Sequence, residues 1–464
     1  MVKKIEFVPQ AAATRLFVMF FMISVLGVGS AFAQDQIDVE VLFERGNFHH
    51  ISAQFEHTGT VIVDNAGQDQ ETQRLPLKVV GVVDYDQRFT GKKDDLQAIR
   101  SYRKARANIK IDDGSTESKL DDDNQLVVAR IQPKSSNRIQ MASISDAFEQ
   151  RELDLIRNPA DPLTFVGLFN KKELSTGDRW SPDSECVADF FAVDHIYENE
   201  IELVLKSVKN DVAKVYIVGS AKAEVDDVTT SLEVSGIALV DLKKKLVTAM
   251  RTTIREDREP GQVAPGFKGQ TKIDLKLATL KTAPALSDEA LARTKSKKIR
   301  RRLKWESKTD ELKVTYDPRW RVIASESEAA VLRYIDQGSL MAQCNIVQLP
   351  ARPANNPLQL ELFKSEVEKI VEGEDSASVV KAQELKTRHG HSALRVEVEG
   401  VESAVPITWI YYHVSNKDGR RWTFVFTLEQ AVAERFGKAD KLLVNEIEFG
   451  ASAKTASSGR STTK

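Results

Sequence analysis

Two cysteines in 464 residues, Cys186 and Cys344, exclude a disulfide framework, a C-x-x-C redox pair and a cysteine-rich zinc site. Histidine is also scarce, and no H-E-x-x-H, G-x-S-x-G or Rossmann glycine pattern occurs. The glycines of Gly261–Gly266 have the spacing of a phosphate loop, but Phe267 stands where the lysine is required. Pro265 would also spoil the helix that should follow, so the segment reads as a surface turn. Ser378-Val379-Val380-Lys381 fits S-x-x-K, but no K-T-G follows it. Net charge is only −2, which supplies no global field to recruit nucleic acid. After Gly29 no apolar run approaches the roughly 20 residues of a membrane-spanning helix. These absences point away from an enzyme and from a nucleic-acid partner, and no cofactor is expected.

What is present begins with an address. Lys3, Lys4 and Arg15 precede the apolar run Leu16–Gly29, and Ala31-Phe32-Ala33 supplies a small-x-small cleavage signal. Residues 1–33 are therefore expected to be a secretory signal peptide, with the mature chain starting at Gln34 in the periplasm or outside the cell. No stable membrane span is expected after cleavage. In an oxidising compartment Cys186 and Cys344 could form a bridge joining the two halves of the chain. Both sit in strand-like apolar stretches, however, where a buried free cysteine is a common small filler.

Alternation of apolar and polar residues dominates 36–282. Val215 and Ile217 against Tyr216, or Leu232 and Val234 against Glu233, give the period of two of half-buried antiparallel strands. Asn210-Asp211, Asp226-Asp227 and Lys243-Lys244-Lys245 mark reversals between them. One helix is expected after Ser145 as cap, closed by Asn158-Pro159. The expected fold is a large antiparallel sheet or meander. The run ELDLIRNPADPLTFVGLFN, then Gly177-Asp178-Arg179-Trp180, then SGIALVDL and TTIREDRE resembles a family of uncharacterised exported proteins from planctomycete-like genomes. The resemblance covers about residues 140–260 and implies no assigned activity.

Composition changes at 283–304, which read as a basic linker carrying Lys297, Lys298, Arg300, Arg301 and Arg302, a candidate contact for an anionic envelope polymer. Residues 305–450 alternate strands and helices in the order β-β-α-β-β-β-α-β, an α+β layer fold. Tyr316-Asp317-Pro318-Arg319-Trp320, the central helix, the Trp422–Leu428 strand and the terminal Glu446-Ile447-Glu448-Phe449 resemble the PsbP-like fold. These are packing features, so the resemblance implies fold and not activity. Residues 451–464 are small and polar and are expected to be disordered.

Two kinds of site remain to be weighed. His389 and His391, with His413 two strands on, could converge on a metal ion if 389 and 391 lie in a strand, since i and i+2 share a face. In a turn they would stay independent. Trp409, Tyr411 and His413 share a strand face that is either core or a stacking surface for sugars. Val61, Val63, Val80, Val82, Phe190, Val215, Ile217, Leu232 and Val234 would hold an amphiphilic ligand if the first sheet leaves its apolar face open. The expected function is an exported, non-enzymatic binding or structural protein of the cell envelope. The alternative is a metal-dependent enzyme or metal-binding protein using His389, His391 and His413.

Overall fold

The computed structural model describes residues 36–63, 72–91, 96–131, 139–225, 228–261, 264–294, 302–307, 312–372 and 376–450. The expected signal peptide and the expected C-terminal tail lie outside the described residues, as do Lys297, Lys298, Arg300 and Arg301.

The alternating segments form one long antiparallel sheet. From Glu202–Lys209 it runs through Val212–Val225, Val228–Asp241, Leu246–Arg258 and Gly266–Leu280 as a meander. Gly266–Leu280 then pairs along its length with Phe48–Val63, so within this sheet the first strand in sequence lies beside the last. Gln73–Phe89 and Gln97–Ile111 extend the sheet on the far side.

The register puts Val61, Val63, Val215, Ile217, Leu232 and Val234 on one face. Val80 and Val82 point the other way, because Gly81 is the residue paired with Phe55. Val215, Ile217, Leu232 and Val234 are buried in a core that includes Phe165, Phe169, Phe190 and Phe191 from the helical segment between the half-sheets. The condition of one open apolar face is not met where helices cover it, and the expected grouping is corrected for Val80 and Val82, which belong to the opposite surface. There they border a depression whose charges are mixed, with Glu56, Arg106, Lys272 and Asp274 on its walls.

A buried ion pair ties the helical segment to the sheet. Arg100 donates from both Nη atoms to the Asp161 carboxylate at 2.7 and 2.6 Å, with Arg100 1% and Asp161 6% exposed. The Arg100 guanidinium also lies 5.0 Å from the Tyr85 ring centroid. Burial opposes the charge on Arg100, and the Asp161 carboxylate outweighs it, holding the guanidinium protonated. Asp161 also accepts from Leu163 N at 3.0 Å, capping the short turn Pro162–Thr164.

Two local expectations are corrected here. Ser145 caps nothing helical: the chain makes the short strand Phe148–Glu149, and Glu149 with Glu152 forms a capping box for the helix Gln150–Ile156. Cys186 lies in the helix Ser184–Phe191 and not in a strand, because Asp183 accepts from Cys186 N at 2.7 Å and starts a helix there.

Residues 283–304 are not a free linker throughout. Ala283, Leu286 and Leu291 are buried together against Phe48, Ile99, Leu126 and Leu280, through the helix Asp288–Thr294. Leu303 and Lys304 belong to the strand Leu303–Glu306, which pairs in parallel with Phe148–Glu149 and antiparallel with Leu312–Tyr316. Lys304 is 8% exposed, its ammonium 2.9 Å from Asp146. Described residues on both sides of the expected linker thus share one small sheet, and the described residues from Gln36 to Gly450 belong to one compact unit.

The second large sheet is antiparallel, in the order Trp320–Ser325, Ala329–Asp336, Ser339–Leu349, Arg421–Glu429, Val405–Ser415, Ser392–Glu402, Ser378–Lys386. The helix Leu360–Val371 buries Phe363, Val367 and Val371 against Val396, Val398 and Trp409 on one face. The other face packs Trp320, Tyr412, Phe424 and Phe426 into the main core. Among the described residues no helix is long and apolar enough to cross a membrane.

Candidate functional site

Three turns meet at one end of this second sheet. The first follows Ser378–Lys386: Gly390 N donates to Thr387 O at 2.9 Å and Thr387 N to His391 O at 3.0 Å, with Gly390 at φ +81°. The second joins Val405–Ser415 to Arg421–Glu429. Asn416 Oδ1 accepts from Asp418 N at 3.1 Å and Arg420 N at 3.0 Å, an Asx turn completed by Gly419 at φ +86°. The third is the proline-punctuated segment 350–358, which turns at Ala354-Asn355 with Asn355 at φ +59°. It is tied to the second by Arg352 N donating to Gly419 O at 2.9 Å and Asn355 N to Lys417 O at 3.0 Å. A Cβ at Gly419 would come within 1.9 Å of Arg352 O, so glycine is required both for φ and for this approach.

The turns enclose a cleft of about 650 Å³. Its charge is one-sided: Arg352, Lys386, Lys417, Arg420 and Arg421 line it, against one carboxylate, Asp418. Arg421 Nε donates to Pro350 O at 2.6 Å and Arg420 Nη2 to Gly450 O at 2.7 Å, so backbone carbonyls fix both guanidiniums. The Nε atoms of Arg352 and Arg420 are buried without an acceptor. Among the described residues no carboxylate lies within ion-pair distance of Arg352 or Arg421. Burial, then the charge of Arg352, lower the pKa of Arg421, while Glu366 acts weakly in the other direction. Crowded, under-neutralised guanidiniums favour an anion.

The structure does not bring the three histidines together. His389 and His391 stand in the first turn, rings nearly parallel with centroids 6.3 Å apart. His391 meets the edge of Phe449 at 4.8 Å. Its pKa is lowered by burial, then by His389, with Arg420 adding to the effect against Glu448. His413 is 2% exposed beneath the helix Leu360–Val371, 5.8 Å from the Phe363 ring, and its pKa is pushed down to about 4 by burial, Arg421 and Arg352. Among the described residues no three His, Cys, Asp or Glu side chains gather as a metal set. The alternative metal triad is not assembled: His389 and His391 stand in a turn and not in a strand, and the helix covers His413.

Trp409, on the same strand face as His413, is 8% exposed and packs under that helix, so this row is core. Cys186 and Cys344 stand as separate thiols. Cys186 lies against Gly167, and Cys344 is fully buried in Ser339–Leu349, where burial pushes its thiol pKa up. Arg302 of the basic run is described: it pairs with Glu446 at 2.7 Å, and Arg388 contacts the other oxygen of that carboxylate.

The sequence pattern singles out two of the cleft's histidines, His389 and His391, but not its arginines. Their only local signal is the Arg420-Arg421 doublet. The cleft is assembled by pairing across some 70 residues, which no local pattern records.

No protein-family model matches the chain, and the comparison with curated proteins returns no match, so the resemblance of residues 140–260 to an exported family gains no support. Among solved structures, the cyanobacterial PsbP (CyanoP) of Synechocystis sp. PCC 6803 is a weak neighbour. It is 13% identical over 32% of this chain and 92% of its own, with a TM-score of 0.26. A protein of unknown function from Pseudomonas aeruginosa, described as a putative regulator, is 10% identical over 31% of this chain and 94% of its own, at 0.23. A lipovitellin structure is 9% identical over 53% of this chain and 26% of its own, at 0.31. The chain is mostly β, and about a third of it is weakly similar to a PsbP-like fold.

Proposed function

We propose that the chain is an exported, non-enzymatic binding protein of the cell envelope that takes an anionic group in the three-turn cleft. The observation that carries this reading is the excess of guanidinium over carboxylate: Arg352, Arg420 and Arg421 line the cleft, and the Nε donors of Arg352 and Arg420 are buried without an acceptor. Unpaired buried donors cost on the order of 1–3 kcal/mol each, and an incoming oxyanion offsets that cost. Export supplies the setting, in which anionic wall and surface polymers are the abundant partners; the basic start, apolar run and Ala31-Phe32-Ala33 support it.

Titration calorimetry with inorganic phosphate and sulfate at low ionic strength tests the reading. Binding should occur with a stoichiometry of one, weaken as salt rises, and be lost in the double variant Arg352→Gln, Arg421→Gln. Absence of anion binding, or binding that survives in the double variant, would refute it. Exported material should have a mass that starts at Gln34; material retaining residues 1–33 would count against export.

A further inference from the structure

We infer that the occupant of the cleft is an acidic saccharide, a sugar unit bearing a carboxylate or phosphate; this rests on the anion-binding reading above. The first argument is size. About 650 Å³ lies within the roughly 300–1,000 Å³ typical of small-molecule sites and exceeds what one tetrahedral anion fills. The anion therefore brings a body with it.

The second argument is the chemistry of the remaining wall. Beyond the cations it is lined by the amides of Asn355 and Asn356 and the hydroxyls of Ser392 and Ser415. These groups donate and accept, which suits hydroxyls of a polyol and does nothing for a hydrocarbon tail. Asn355 and Asn356 are exposed at the rim, on a segment whose backbone is fixed: Asn355 N is bonded to Lys417 O, and Asn356 N to Pro353 O at 3.3 Å. Apolar lining is limited to a few groups, with Phe449 the only aromatic carbocycle among them. The Arg420 guanidinium sits 5.6 Å from its centroid and the His391 ring crosses its edge. Arg420 covers a face of that ring and His391 meets its edge, so the ring braces the cations and the body of the sugar is left to the amides and hydroxyls. The guanidiniums would take the acid and the asparagine amides the hydroxyls.

The test is calorimetry on the purified protein with glucose 6-phosphate, glucuronate, glucose, inorganic phosphate and adenosine monophosphate. The two sugar acids should bind about tenfold more tightly than inorganic phosphate, the gain from roughly two added hydrogen bonds, and glucose alone should not bind. Asn355→Gly with Asn356→Ala, which removes both amides while glycine keeps the φ of +59° at 355, should remove that tenfold advantage of the sugar acids over phosphate. Sugar acids no tighter than phosphate would overturn the saccharide assignment and leave the anion reading standing. Adenosine monophosphate tighter than both sugar acids would overturn it in favour of a nucleotide. No binding of any anion would overturn the proposed function itself.

Discussion

Removing the Asp161 carboxylate should destabilise the protein more than its place in a loop would suggest. Asp161→Ala leaves Arg100, 1% exposed, with its charge buried and its two Nη bonds of 2.7 and 2.6 Å lost. Breaking one side of a buried pair costs about 3–5 kcal/mol. The lost cap on Leu163 N adds about 1 kcal/mol. Tryptophan fluorescence during urea denaturation is a suitable assay, because Trp180 is buried in the same core as the helical segment, its Nε1 donating to Leu168 O at 3.1 Å. With a slope of about 3 kcal/mol per M, the midpoint should fall by at least about 1 M. The double variant Arg100→Leu, Asp161→Leu should recover most of that loss, since an apolar pair of similar volume is often neutral. A fall below about 0.3 M for Asp161→Ala, or a double variant no better than the single, would refute the claim that this pair pins the helices to the sheet.

Acid should weaken the fold before its carboxylates titrate. His49 and His413 are 4% and 2% exposed, and burial pushes both pKa values down to about 4 from 6.5. Between those values the unfolded chain binds protons that the folded chain refuses, so stability is complete above pH 6.5 and falls as pH drops towards 4. The ceiling is about 3 kcal/mol for each histidine. Denaturation midpoints across pH 4–7 check this, and His413→Phe should flatten the slope; an unchanged slope contradicts it. Gly419→Ala should destabilise by about 2 kcal/mol or more and abolish anion binding, because the methyl meets Arg352 O and φ is +86°; wild-type affinity would contradict it. Tyr412→Phe should cost about 1–2 kcal/mol by urea denaturation, since its hydroxyl donates to Asp440 at 2.8 Å and accepts from Arg395 at 3.0 Å in a buried network. A loss of under 0.5 kcal/mol would mean the Arg395–Asp440 pair does not depend on it.

The long strands could be read directly because each alternates over a dozen residues, and one covered face imposes that period. Where the pattern is short or broken the reading failed for identifiable reasons. Ser378–Lys386 is an edge strand rich in polar residues, and its register shifts between Val379 and Lys381, which destroys the alternation. Cys186-Val187-Ala188 continues into Phe190-Phe191 with the apolar density of a strand, and the capping bond from Asp183 decides for helix. The span Leu303–Glu306 looked like the end of a basic linker because Lys304 is charged; Asp146, far away in sequence, is what allows it to be buried. The cleft is the extreme case. Gly419 and Asn416 announce a turn, but nothing local says that Arg352 lies against it.

The most direct measurement of the central claim is crystallographic. Crystals soaked in selenate should show an anomalous peak within hydrogen-bond distance of the guanidiniums of Arg352, Arg420 or Arg421, and no such peak in crystals of the Arg352→Gln, Arg421→Gln variant. Selenate bound elsewhere on the surface, with no peak in the cleft, would contradict the account.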